Sequence, residues 1–141
     1  MSDKKIAQQL DHLCAEGDAL VAQGKLDEGL SKYFEGEDLA KGLENPNDAL
    51  AWIALAIGET YFFAGEWQAA QEHLAAAAKH PHGADNPIIQ LRLGQIAFEQ
   101  GDQARALQLL GNAFEGIGDA IFEGEDPKYV DFLIDGIEKQ K

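Results

Sequence analysis

A single cysteine, Cys14, stands in the 141 residues, so no intrachain disulfide can form. The core must hold by packing alone. Proline is scarce too, at four residues. No apolar run approaches the roughly 18 residues that a membrane-spanning helix needs. The opening MSDKKIAQQLDHL lacks the apolar core of a secretory signal, so the cytosol is the expected compartment. Sustained alternation with β-branched residues is missing, and no strand is expected. Basic residues are few: 11 Lys and Arg stand against 25 Asp and Glu, a net charge of −14. Between Gly42 and Pro127 the only Lys and Arg residues are Lys79, Arg92 and Arg105. A phosphate backbone calls for a basic face, which excludes nucleic acid as the natural partner. An acidic surface serves solubility as readily as recognition of a basic protein, and composition does not choose between them.

What the chain does have is apolar residues, at 45%, in helical rhythm. Ile6, Leu10, Leu13, Cys14, Leu20 and Val21 recur at spacings of three, four and seven. Ile53, Ile57 and Tyr61 follow the same rhythm. So do Leu91, Leu93, Ile96 and Phe98, and then Tyr129, Phe132, Leu133, Gly136 and Ile137. Three loops interrupt the pattern. LENPND (43–48) predicts a helix start capped by Asn47 or Asp48. HPHGADNP (80–87) places Pro87 at a first helical position, and EDP (125–127) makes Asp126 an N-cap before Pro127. Shorter breaks centre on glycine in AQGKLDEG, FAGEWQAA and EQGDQARA. Each predicts a helix–turn–helix in which glycine supplies the positive φ.

The turn glycines Gly24, Gly65 and Gly101 share a frame. Seven residues before them come Gly17, Gly58 and Gly94. Five after come Gly29, Ala70 and Ala106, and nine after come Tyr33, Leu74 and Leu110. Small residues let two helices approach closely, and a large one fills the space beside them. This frame resembles the tetratricopeptide repeat, a helical hairpin of roughly 34 residues. The second copy fits best, with Gly58, Tyr61, Gly65, Ala70 and Pro81. The third has Ala97 where an aromatic is usual, and the first has Leu20 there and Gly29 for the usual alanine. Trp52 lies two places before the family's tryptophan position. The resemblance spans residues 9 to 121 or so. It implies an all-α fold of three hairpins (about 10–43, 48–82 and 87–121), stacked as a short right-handed solenoid in one domain. The amphipathic segment 127–140 is then a C-terminal capping helix, because an end repeat would otherwise expose its apolar side. The tail IFEGEDPKYVDFL is also similar to the end of some small bacterial tetratricopeptide proteins.

The resemblance further implies a concave face lined by the first helix of each hairpin. Carried over position by position, the first repeat offers Asp11, Cys14, Asp18, Val21 and Ala22. The second offers Trp52, Leu55, Glu59, Phe62 and Phe63. The third offers Ile88, Leu91, Gln95, Phe98 and Glu99. Aromatic anchors rimmed by carboxylates suit recognition of a cationic or amphipathic helical peptide. The same aromatics could equally pack inside the fold or bury in a homodimer. The Lys, Arg and Asn with which some relatives clamp a terminal carboxylate are replaced here by Cys14, Asp18, Glu59 and Leu91, which argues against an anion clamp.

Chemistry is harder to find. His80 and His82 flank Pro81 near Asp85, a spacing that matches no zinc pattern. His12 and His73 sit on helices without spaced ligand partners. Cys14 lies among apolar residues, where a thiol lacks the cation or base that would activate it. No catalytic residue, metal site or cofactor is expected. The chain reads as a non-enzymatic module that binds a partner polypeptide, with a chaperone of a secreted client as one role. The competing roles are an immunity-type inhibitor of a basic toxin and a self-associating scaffold. The stretch FEGED occurs twice, at 34–38 and 122–126, but the two copies fall out of register in the repeat frame. The first should be helical and the second a helix–loop junction, where Phe122 ends a helix, Gly124 breaks it and Asp126 caps the next.

Overall fold

A computed structural model describes residues 1–81 and 83–140. Among these residues the regular structure is entirely helical, with seven α-helices and one short 3₁₀ segment. The chain divides into two compact units, Met1–Gly83 and Ala84–Lys141.

The first unit holds two helical hairpins. Helices α1 (Asp3–Ala22) and α2 (Leu26–Ala40) form one, and α3 (Asn47–Phe63) and α4 (Trp67–Ala78) form the other. The turns close as the glycine spacing predicts, with φ of 79° at Gly24 and 76° at Gly65. The small-residue frame also has its expected consequence. A Cβ on Gly17 would come within 2.7 Å of the Tyr33 ring, and one on Gly58 within 2.6 Å of Leu74 Cγ. The paired helices therefore touch where only a hydrogen atom fits. Helix α2 packs in turn on α3, so the first hairpin stacks on the second. Ile6, Leu10, Leu30, Tyr33, Ala40, Ile53 and Ile57 form the core of this stack. Full burial of each large aliphatic side chain among them contributes about 1.5–3 kcal/mol.

The start of α3 departs from the sequence reading. Asn47 is already the first helical residue, Pro46 holds the cap position, and no side chain caps the helix. Pro46 itself lies near helical geometry (φ −81°, ψ −9°), so the chain enters the first turn one residue early. Neither Asn47 nor Asp48 then occupies the extended position from which an N-cap side chain reaches forward.

The second unit holds α5 (Pro87–Glu99), α6 (Gln103–Ile117), the 3₁₀ segment Asp119–Phe122 and α7 (Pro127–Lys139). Gly101 turns α5 into α6 with φ 83°. Gly94 lies against Leu110 as Gly58 does against Leu74. Asn86 accepts hydrogen bonds from the amides of Ile88 and Ile89, and Asp126 accepts one from Lys128, each just before a proline at the first helical position. Leu91, Leu110, Ala113, Ile121, Tyr129 and Leu133 form a core to which α5, α6, the 3₁₀ segment and α7 all contribute. The two FEGED stretches have different structures. The first lies inside α2. The second runs from the last residue of the 3₁₀ segment through Gly124, at φ 78°, to the cap of α7.

Candidate functional site

Two hollows share one face of the first unit, between α1 and α3. The larger, of about 370 Å³, is lined by Leu10, Asp11 and Cys14 from α1, by Asp48 and Trp52 from α3, and by Leu43. The smaller, of about 230 Å³, is lined by Asp18 and Val21 from α1, Glu59 and Phe63 from α3, and Tyr33. Trp52 and Phe63 are eleven residues apart, three helical turns, which puts them on one side of α3 about 16 Å apart. Both project outward: Trp52 is 72% exposed and Phe63 62%. Asp11 and Asp18, two turns apart on α1, bring carboxylates to the same face.

The electrostatics of this face are fixed from below. The buried Tyr33 hydroxyl donates to Asp18 Oδ1 at 2.5 Å. Burial raises the Tyr33 pKa first, and the Asp18 carboxylate raises it further, so the phenol stays a proton donor. That hydrogen bond holds the Asp18 side chain in one orientation. Burial pushes the Cys14 thiol up as well, with help from Asp18 and Asp11. At neutral pH Cys14 is therefore a small apolar wall residue and neither a nucleophile nor a thiolate ligand. Val21 flanks the smaller hollow, and Ala22 is exposed at the end of α1. Leu55 is half-buried on α3. Phe62 is buried, with its ring 5.4 Å from those of both Phe63 and Trp67.

The third-repeat positions have a different fate. Leu91 and Gln95 are buried, at 1% and 0% exposure. Phe98 packs edge-on against Tyr129 and Phe132 of α7, with centroids 5.4 and 5.1 Å away. Glu99 pairs with Lys128 at 2.7 Å and accepts from the Tyr129 hydroxyl at 2.7 Å. Burial alone would raise the Glu99 carboxyl, but Lys128 and Tyr129 outweigh it and hold it below its ordinary value. Ile88 is half-buried against the same core. The chain's own α7 thus occupies the face that these α5 residues would present.

Sequence reasoning missed a buried polar cluster in this unit. Arg92 Nη1 donates to Glu125 Oε1 at 2.6 Å and to Gln95 Oε1 at 3.0 Å, and Gln95 Nε2 donates to Glu125 Oε1 at 2.8 Å. The scarcity of cations around Arg92 was the only hint. His12 and His73 serve surface and packing roles. His12 meets Glu16 at 2.6 Å on the exposed side of α1, and His73 stacks on Tyr61 with centroids 5.5 Å apart. His82 lies outside the described residues. Among those residues, no group of three or more His, Cys, Asp or Glu is placed to hold a metal ion, and no helix is long and apolar enough to cross a membrane.

The hairpin geometry, with glycine turns and glycine-to-leucine contacts repeated in both units, agrees with comparison to known families. The family model described as tetratricopeptide repeat matches residues 55–120. Residues 55–120 carry a tetratricopeptide repeat. No curated protein matches the chain. Tetratricopeptide repeats generally mediate protein–protein interaction and are typically non-enzymatic.

Proposed function

We propose that this tetratricopeptide protein is a non-enzymatic adaptor that binds a segment of a partner protein across α1 and α3. The observation that carries this reading is the exposure of Trp52 and Phe63 on one side of α3, beside hollows edged by Asp11, Asp18, Asp48 and Glu59. An exposed tryptophan and phenylalanine three turns apart offer two anchors, and the carboxylates between them favour Lys or Arg on the ligand. The ligand is thus an amphipathic segment, apolar at i and i+3 or i+4 and basic at its flanks. The positions proposed to contact it are Asp11, Cys14, Asp18, Trp52, Glu59 and Phe63. Phe62 is buried and Leu55 half-buried, Gln95 is taken up by Glu125, and Ile88, Leu91, Phe98 and Glu99 already serve the core and contacts that α7 shares. The role that fits is that of a cytosolic chaperone or adaptor holding one segment of a client.

The net charge of −14 favours a second reading, an inhibitor that covers a basic toxin surface. The two readings separate experimentally. A peptide library selected on the native protein should return basic amphipathic sequences. Their affinity should fall at least tenfold on Trp52→Ala and on Phe63→Ala, about 1.4 kcal/mol each. Helicity should be unchanged, because both side chains are exposed. Selected peptides that bind both variants as tightly as the native protein would refute the α1/α3 site. An association rate that drops steeply with salt while tolerating both variants would favour the inhibitor.

A further inference from the structure

The second unit carries an apolar surface that the α1/α3 reading does not use. A furrow of about 590 Å³ runs between α6 and α7, with Leu107, Gly111 and Phe114 on one wall and Leu133, Gly136 and Ile137 on the other. It is apolar outside as well as at its floor. Phe114 is 38% exposed and Ile137 44%. Ile117, one turn beyond Phe114, and Ile134, one turn before Ile137, are each 49% exposed. Isolated exposed apolar side chains are ordinary, but four along two adjacent helices beside a furrow form a strip that favours cover.

The surrounding charge says what covers it. Residues 84–141 hold eleven acidic and five basic side chains. Three of those bases are already engaged: Arg92 with Glu125, Lys128 with Glu99, and Lys139 with Asp135 at 3.0 Å. Glu115 lines the furrow. Asp131 and Glu138 stand one turn to either side of Ile134 on α7. Among the described residues these three carboxylates form no ion pair. A second copy would bring the same carboxylates and another −14 of charge to a two-fold contact, which opposes self-pairing. A cell-membrane surface, being anionic, is repelled in the same way. A helix with a leucine-type stripe and flanking Lys or Arg meets both requirements.

We infer that the α6/α7 furrow is a second docking surface, taking a basic amphipathic helix from a partner protein. Leu107, Phe114 and Ile137 receive the apolar stripe, and Glu115, Asp131 and Glu138 meet its cations. The surface is built from other helices than α1 and α3, and its test is read at its own residues. The probe is a synthetic helical peptide of about fourteen residues, matched to the roughly 20 Å length of α7, with leucine at i, i+3, i+4, i+7 and i+11 and lysine elsewhere. Titration into the full chain, followed by amide chemical shifts, should perturb residues 104–117 and 131–140. Glu115→Lys with Glu138→Lys, both on exposed side chains, should weaken binding at least tenfold. Phe114→Ser with Ile137→Ser should do the same, both read from the shifts of residues 104–117 and 131–140, and Trp52→Ala should leave the titration of those shifts unchanged. The inference is overturned if a scrambled peptide of the same composition binds equally well, or if the shifts map only to α1 and α3. It is overturned equally if sedimentation shows that the chain alone dimerises through this strip and that Phe114→Ser with Ile137→Ser restores the monomer.

Discussion

Replacing Gly58 by alanine tests the packing logic of the whole hairpin. In a helix interior, Gly→Ala alone stabilises by about 1 kcal/mol, because alanine loses less backbone freedom on folding. At position 58 the added Cβ would fall 2.6 Å from Leu74 Cγ, 2.7 Å from its Cδ2 and 3.3 Å from its backbone nitrogen. Leu74 is fully buried, and the close atom is its branch carbon, so no simple rotamer change relieves the contact. Overpacking of this kind costs about 1–3 kcal/mol, and the backbone nitrogen behind the leucine places this case toward the upper end. The net expectation is a loss of about 1–2 kcal/mol, the overpacking strain less the propensity gain. Gly36→Ala is the internal control. It too is a buried helical glycine, but its Cβ would sit 3.6 Å from Leu10 Cδ2 and 3.7 Å from Ile53 Cδ1, ordinary contact distances. It should stabilise by about 0.5–1 kcal/mol. Urea unfolding followed by circular dichroism at 222 nm measures both. The cause is isolated by a cycle with Leu74→Ala, itself costing about 2–5 kcal/mol. Once the leucine is gone, Gly58→Ala should turn stabilising, a coupling of about 1–3 kcal/mol. Equal shifts for the two glycine variants, or no coupling with Leu74, would refute close helix approach as the reason for glycine at 58.

Other consequences follow from the second unit and from Cys14. Glu125→Ala removes the carboxylate that both Arg92 and Gln95 bond in this buried cluster and should cost about 3 kcal/mol in urea unfolding of the full chain. Glu99 is held below its ordinary value of 4.5, so it stabilises the fold above that pH and the contribution is lost as pH falls through its lowered value. Tyr129 is raised above its ordinary value of 10.0 by burial and then by Glu99, so its contribution is complete below pH 10 and is lost only at higher pH. Tyr129→Phe should flatten the alkaline limb, weaken the acid one, and cost about 1.5–3 kcal/mol at neutral pH, the usual worth of a hydrogen bond to a charged group. The Cys14 thiol is held above 9.0, so it should react with iodoacetamide at pH 8 more slowly than a free cysteine does. Asp11→Asn with Asp18→Asn should speed that reaction, and an unchanged rate would show that burial alone sets it.

Much of the fold was legible in the chain because its signals are local. A glycine at φ near 80° ends a helix whatever lies beyond it, so the turns at 24, 65 and 101 could be read directly. Asn86 and Asp126, each followed by proline, cap their helices by hydrogen bonds spanning two or three residues. Neither Asn47 nor Asp48 caps α3, because the conformation of Pro46, which the side-chain pattern does not reveal, decides where the first turn begins. The spacing of Trp52 and Phe63 on α3 was likewise fixed by helical period. Their exposure was not, because exposure depends on which other segments come to lie nearby.

The sequence by itself determined that this protein is a set of helical hairpins, where each turn falls, and which residues could face outward from each first helix. Those properties follow from backbone conformation and side-chain period within some ten residues. Tertiary structure decided which of those faces stay open. On α1 and α3 the acidic positions, Trp52 and Phe63 remain at the surface, while Phe62 turns inward. On α5 the equivalent positions are filled by Tyr129, Phe132 and Lys128, reaching back across about thirty residues of chain. Nothing local to Gln95 or Phe98 records that contact. It arises because the apolar face of α7 gains more by burial against α5 than by exposure to water, a comparison that only the folded unit makes.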